Sequence, residues 1–276
     1  MNILIESGAT KSTSIGYKDS STFFTYKTSG INATYATKVQ ISAIFEEIIA
    51  KNNIDVDNVE KIRYYGAGCF NPNNAEKVKE VLRSFFPKAN ITVLSDLYAA
   101  CHALCKNNSG YVGILGTGAA SCFYDGEQIT GKAPSLGWLL GDEGSGVYLG
   151  KMFVKEYLSS QIEQKVAIDF EKTFSVSKPE LLEKIYQDPK PQNFFASIPV
   201  FLHKNLENKQ IKNIIEKSFQ DFFSQQKKYY SAHSHPWFFC GSIAYFFQDI
   251  LIEVAQKNDV KIERLIRECA EDLRKM

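Results

Sequence analysis

The chain has 276 residues, 44% of them hydrophobic, more than one hydrophobic core usually organises, so two domains are expected. Its 32 basic and 31 acidic residues are interspersed and leave a net charge of +1, which argues against a nucleic-acid or anionic-membrane surface. Residues 1–6 meet Glu6 too soon for a secretory signal, and no stretch approaches the ~18 apolar residues that span a bilayer, so a cytoplasmic location is expected.

In chain order, an apolar strand run leads into the turn Glu6-Ser7-Gly8-Ala9-Thr10-Lys11, and a second strand follows as the return arm of a hairpin. The apolar period predicts a helix over 34–51, with Val39, Ile44 and Ile48 in one stripe and Ile41, Phe45 and Ile49 flanking it. A strand at 62–65 ends in Gly66-Ala67-Gly68-Cys69, a helix follows over 74–86, and a short buried-type strand at 91–94 closes at Ser95-Asp96. Alternating strands and helices imply an α/β sheet with parallel members.

Near Tyr111 the pattern restarts, with hairpin strands about 111–115 and 121–124 around Leu115-Gly116-Thr117-Gly118. A helix-rich insertion is expected from about 142 to 233, punctuated by Pro189, Pro191 and Pro199 and including a helix through Ile211, Ile214, Ile215, Phe219, Phe222 and Phe223. The chain returns to strand at 236–240, turns at Gly241-Ser242 and enters a helix running to Val254. The expected division is 1–109 and 110–276, two related lobes each carrying a glycine turn. Six cysteines without a CxxC pair read as reduced, buried thiols rather than a zinc site or a disulfide framework.

Glycine turns expose backbone N–H groups that can hold phosphate oxygens. In the first turn Gly8 admits close approach, Thr10 and Lys11 offer donors, and Glu6 at the strand end could hold hydrated Mg²⁺. Asp96 stands at the carboxyl end of a strand, where open α/β sheets place ligands, and could accept the proton of an attacking hydroxyl; the alternative is that Ser95 or Asp96 simply caps the next helix. Leu140-Gly141-Asp142-Glu143-Gly144-Ser145-Gly146 packs glycines around two acids before a helix, which suits either close backbone approach to a ligand or a capped helix after a flexible loop. Gly241-Ser242 suits a nucleotide facing a helix start or a plain strand-to-helix turn. His233 and His235 read as solvated loop residues, and His102 and His203 carry nothing specific.

Taken in order, Glu6-Ser7-Gly8-Ala9-Thr10-Lys11, Tyr65-Gly66-Ala67-Gly68, Ser95-Asp96, Leu115-Gly116-Thr117-Gly118, Gly141-Asp142-Glu143-Gly144-Ser145-Gly146 and Cys240-Gly241-Ser242-Ile243-Ala244 resemble the N-acetylglucosamine kinase family, in the BadF/BadG/BcrA/BcrD-type branch of the actin-like ATPase and sugar-kinase superfamily. The resemblance runs over nearly the whole chain. It implies an α/β protein of two ribonuclease-H-like lobes with a helical insertion in the second, ATP and Mg²⁺ as cofactors, and γ-phosphoryl transfer to the 6-hydroxyl of a sugar bound with ATP in the cleft. By motif position Gly8, Thr10, Lys11, Gly116, Thr117, Gly118, Gly241 and Ser242 would bind the nucleotide, Asn32, Ser135 and Asp142 the sugar, and Asp96 would be the general base. A homodimer is compatible with the resemblance.

The chain departs from the family pattern in having Glu6 where Asp is usual, Thr13 where a second Asp follows, Ala119-Ala120 where Ser-Asn is common, and no proline-containing ending in 262–276. Three further readings stand beside N-acetylglucosamine: glucosamine or N-acetylmuramic acid as acceptor, a sugar or nucleotide sensor without turnover, and an activator ATPase carrying an iron–sulfur cluster, whose cysteine arrangement is not found here.

Overall fold

The computed structural model describes residues 1–230 and 235–276, and the chain divides into two compact units, Met1–Asn108 with Glu268–Met276 and Ser109–Arg267. In the first unit β1 (Asn2–Ser7), β2 (Lys11–Lys18) and β3 (Ser21–Ser29) form an antiparallel meander. The chain then crosses over through α1 (Lys38–Lys51) to β4 (Lys61–Gly66), which pairs parallel to β1, and through α2 (Pro72–Phe85) to β5 (Asn90–Ser95), parallel to β4. Strand order is β3-β2-β1-β4-β5, and α3 (Asp96–Cys105) leaves directly from β5.

Local chemistry sets these boundaries. Thr37 begins α1 with a capping box, its hydroxyl accepting the Gln40 N–H at 3.3 Å while the Gln40 side chain accepts the Thr37 N–H at 2.9 Å. The helix therefore starts at 38 rather than 34, and it buries Ile41, Phe45 and Ile48; Val39, expected in the apolar stripe, is 78% exposed. Asn71 caps α2, and Pro72 occupies its first turn, where a missing N–H costs nothing. Ile3, Ile5, Ile41, Phe45, Ile62, Val78 and Leu82 close one core over the sheet.

The second unit repeats the plan. Here β6 (Gly110–Leu115), β7 (Ala119–Tyr124) and β8 (Ile129–Lys132) form the antiparallel meander. The connection from β8 carries α4 (Gly137–Leu140), α5 (Gly146–Leu158), α6 (Gln164–Phe174), α7 (Lys178–Gln187), α8 (Pro191–Lys204) and α9 (Lys209–Gln226) before β9 (Trp237–Cys240), which pairs parallel to β6. Two helices, α10 (Ser242–Phe246) and α11 (Gln248–Lys257), then lead to β10 (Ile262–Ile266), parallel to β9. Strand order β10-β9-β6-β7-β8 is the first unit's order read from the other edge: third, second, first, fourth and fifth strand of each unit are neighbours in both. The two related lobes and the α/β class expected from the paired glycine turns are therefore present.

Aromatic rings fill the helical insertion. Phe153 packs on Phe170 with centroids 4.9 Å apart and on Phe201 at 5.6 Å, contacts that stabilise by about 0.5–1.5 kcal/mol per pair beyond their buried area. Pro199 lies inside α8 rather than ending it. The expected single helix after Gly241 is two, interrupted at Phe247. All six cysteines are buried thiols, and no helix among the described residues is long and apolar enough to cross a membrane.

One boundary needs correcting. The expectation kept 110–276 together, but the last nine residues belong with the first unit, where α12 (Ala270–Arg274) packs on α3, β1 and β2. Leu273 and Ala270 are buried there, and the Arg63 guanidinium donates to the Leu273 carbonyl at 2.8 Å. A turn of helix this short holds only through such tertiary contacts, so it leaves little periodicity to read.

Candidate active site

The first glycine turn joins β1 to β2, with the Gly8 N–H donating to the Lys11 carbonyl at 2.9 Å and Thr10 and Lys11 exposed. Just before it, the buried Ser7 hydroxyl accepts the Ile31 N–H at 2.9 Å, which ties the segment leading to Asn32 to the end of β1. Asn32 is half-buried; its Oδ1 accepts the Thr34 N–H at 3.0 Å, and its carbonyl accepts from Tyr35 and Ala36. The first turn and Asn32, far apart in the chain, are thus brought together.

Glu6 is engaged elsewhere. Its Oε2 accepts the Cys269 N–H at 3.0 Å, and the Ala270 N–H also donates to its carboxylate, so it holds the start of α12. Burial pushes its pKa above the usual carboxylate range, and the nearby Glu268 charge adds to that. A desolvated carboxylate already holding two amides does not fit a hydrated cation, and the expectation that Glu6 holds Mg²⁺ is revised accordingly; no chemical step below passes through that ion.

Asp96 is the first residue of α3, following β5 directly, and its Oδ1 accepts the Leu97 N–H at 3.0 Å. The plain capping alternative fares poorly for Ser95: it stands at the N-cap, but its buried hydroxyl finds no partner among the described residues. Asp96 thus sits in the first turn of α3, where the unpaired N–H groups make the helix end positive. Burial pushes the neighbouring Cys69 thiol up to about 12, with the Asp96 charge acting in the same direction and the Lys77 ammonium opposing it.

Farther along α3, His102 lies 3.1 Å from the Tyr65 hydroxyl and edge-on to the Tyr65 ring. Burial lowers its pKa and the Arg63 charge acts the same way, so the folded chain prefers a neutral imidazole. A depressed histidine contributes stability that is complete above its ordinary value of 6.5 and is lost as pH falls through the lower folded value. Melting temperatures should therefore fall below pH 6.5 more steeply in the native protein than in His102→Gln, and parallel curves for the two would remove His102 as the cause.

In the second unit the Gly116 N–H closes the turn onto the Gly118 carbonyl at 3.0 Å. The start of α5 packs directly on it, with Gly146 N–H donating to the Gly116 carbonyl at 2.8 Å and Val147 N–H to the Thr117 carbonyl at 3.1 Å. Ser145 caps α5 by accepting the Tyr148 N–H at 3.1 Å. Of the two readings of the glycine-rich segment the helix cap is realised, and the segment also lays that helix against the second glycine turn. Asp142 has φ 61° and accepts the Ala119 N–H; burial raises its pKa against the Lys151 charge. Gly241 and Ser242 begin α10, and the Gly241 N–H donates to the Ile266 carbonyl at 3.1 Å. Ser135 is exposed on the connection from β8 to α4.

Some neighbours of these residues left no sequence signal. Lys151 donates to the Trp138 carbonyl and sits 5.9 Å from that ring and 5.6 Å from the Tyr148 ring, holding α4 beside Asp142. His235 is packed rather than solvated, edge-on to Phe123 at 5.0 Å and Tyr111 at 6.2 Å, while His233 lies outside the described residues. His203 packs edge-on against Phe246 and Phe247, each at 5.6 Å.

Among solved structures, the chain is similar to a protein of Porphyromonas gingivalis named "Putative N-acetylglucosamine Kinase", with a TM-score of 0.93, 29% identity, and coverage of 99% of this chain and 97% of that one. Its fold is the actin-like ATPase fold of the sugar kinases. The resemblance carried by the ordered glycine motifs is borne out over the full length. A second "Putative N-acetylglucosamine Kinase", from Chromobacterium violaceum, shares this sugar-kinase fold with a TM-score of 0.78, 13% identity, and coverage of 98% of this chain and 96% of that one. So does a ROK family glucokinase from Streptomyces griseus solved with glucose and AMPPNP, with a TM-score of 0.54, 13% identity, and coverage of 96% and 93%. No protein-family model matches the sequence, and no curated protein matches it.

Proposed function

We propose that this protein is an ATP-dependent amino-sugar kinase that converts N-acetylglucosamine to N-acetylglucosamine 6-phosphate in the cytoplasm. The observation that carries the reading is the full-length likeness to the Porphyromonas gingivalis protein, named for that activity, at a TM-score of 0.93. In this reading Gly8, Thr10 and Lys11 of the first unit bind the nucleotide phosphates, Gly116, Thr117 and Gly118 of the second unit also bind the nucleotide, and Gly241-Ser242 lies by the adenosine. Asn32, Ser135 and Asp142 hold the sugar. Mg²⁺ enters with the nucleotide, as MgATP, and is not assigned to Glu6.

Phosphoryl transfer asks for in-line placement and charge neutralisation more than covalent chemistry from the protein. Asp96 takes the proton of the 6-hydroxyl as its oxygen attacks the γ-phosphorus; the new O–P bond forms, the bond to the bridging oxygen breaks, and ADP leaves. A carboxylate suits this role because it need only accept a proton already being lost in the transition state.

The test is ADP formation from MgATP with no sugar and with N-acetylglucosamine, glucosamine or N-acetylmuramic acid. N-acetylglucosamine should give the highest kcat/KM, at least about tenfold above glucosamine, whose ammonium lacks the carbonyl acceptor of an acetamido group, and above N-acetylmuramic acid, whose added 3-O-lactyl group has to find room in the site. ADP formation that no sugar stimulates would end the kinase reading, and a reversed order among the three would change the acceptor.

A further inference from the structure

The structure assigns a positioning role to Lys77, a residue outside every motif described above. Its ammonium, on α2, donates to the carbonyls of Ala33 at 2.5 Å and Ala36 at 2.9 Å, and so grips both ends of the short turn that follows Asn32. We propose that Lys77, through these two bonds, holds the Asn32 side chain in the orientation that selects the acceptor sugar. This inference rests on the proposal that Asn32 contacts the sugar.

The turn at 32–36 is a single helical turn with Asn32 as its cap. The Asn32 carbonyl accepts from Tyr35 at 3.1 Å and Ala36 at 3.0 Å, and its Oδ1 accepts from Thr34 at 3.0 Å. With Oδ1 committed to the backbone, the amide NH2 is the part of the side chain left to donate, and it suits an acceptor such as a sugar hydroxyl or an acetamido carbonyl. One turn of helix is too short to hold its own shape. Its support is external: Ala33 N–H donates to the Ala67 carbonyl at 2.9 Å, Asn74 reaches Thr34 Oγ1 at 3.4 Å and the Gly68 carbonyl at 3.2 Å, and Lys77 takes the two carbonyls.

Of these supports Lys77 is the strongest, since a charged donor makes hydrogen bonds roughly twice as strong as neutral pairs do. The fit around the turn is also close. Gly68 has φ +81°, and a Cβ there would lie 2.7 Å from Asn32 Oδ1 and 2.8 Å from the Thr34 nitrogen, so a small shift of the turn meets backbone on that side. Loss of Lys77 leaves two carbonyls without their donor and lets the turn relax on the open side, carrying the Asn32 amide with it. A ligand group misplaced by ~1 Å can cost up to about 100-fold in turnover or affinity.

Five enzymes test this: native, Lys77→Met, Lys77→Arg as the conservative rescue, Asn32→Ala and the Lys77→Met/Asn32→Ala double variant, each assayed for kcat, KM for N-acetylglucosamine and KM for ATP. Lys77→Met should raise the sugar KM about tenfold and leave the ATP KM within about twofold, and Lys77→Arg should recover most of the loss. In the Asn32→Ala background the Lys77 substitution should add less than about twofold, because the two residues act through one contact. The inference falls if Lys77→Met leaves the sugar KM unchanged, raises both KM values alike, or raises the sugar KM as much without Asn32 as with it. An unchanged sugar KM in Asn32→Ala would instead overturn the assignment of Asn32, and Lys77 would lose its stated route of action along with it.

Discussion

Asp96→Asn should lower kcat by about 100-fold or more while sugar and nucleotide affinities stay within about twofold, because general-base catalysis contributes about 100- to 10,000-fold. The substitution is nearly isosteric, and the amide oxygen can still accept the Leu97 N–H that Asp96 Oδ1 now takes at 3.0 Å, so the start of α3 keeps its geometry. Only the basicity is removed. Single-turnover rates paired with calorimetric titration of N-acetylglucosamine and of AMPPNP would separate the chemical step from binding. Turnover near the native level would take the proton-accepting role away from Asp96, and a loss of both affinities would make it a structural residue of β5 and α3.

The second large effect expected is on stability. Gly241→Ala should cost roughly 2–4 kcal/mol, combining backbone strain and overpacking, and lower the melting temperature by roughly 6–12 °C. At Gly241 φ is +121°, which side-chain-bearing residues rarely adopt, and a Cβ would stand 2.3 Å from the Leu115 carbonyl oxygen and 2.7 Å from its carbon. Those atoms are backbone at the end of β6, one residue before the second glycine turn, and cannot swing aside as a side chain would. A shift there would also move Gly116, so the ATP KM should rise with the loss of stability. A melting temperature within about 2 °C of native would show that α10 can re-enter from β9 by another path.

Much of the plan was legible because it rests on local patterns. The two strand-turn-strand units stand out because apolar runs flank glycines whose purpose is local, and α2 and α9 because their buried faces recur at helical spacing. Asp96 was legible as a candidate from position alone, since it follows a short apolar strand and precedes a helix. Other elements left weaker traces. The edge strand β3 alternates half-buried and exposed residues and leaves Phe23 59% exposed, so it lacks the apolar run that marks a central strand. The strand β10 carries Glu263 and Arg264 and is held by pairing with β9 rather than by its own hydrophobicity. Within α1 the cap at Thr37 settled the start, and Val39 turned outward because the buried stripe runs through Ile41, Phe45 and Ile48.

By itself the sequence determined the class of fold, its duplication and the order of the glycine motifs, because these follow from hydrophobic period and from residues whose backbone needs are local. Only the tertiary structure decided what Glu6, Lys77 and the last nine residues do. Each of these depends on a partner distant in the chain: Glu6 on the amides of Cys269 and Ala270, Lys77 on the carbonyls of Ala33 and Ala36, and α12 on the sheet and helix of the first unit. A charged side chain takes its role from the polar groups that replace its water when it is buried, and which groups those are is known only once the chain has folded.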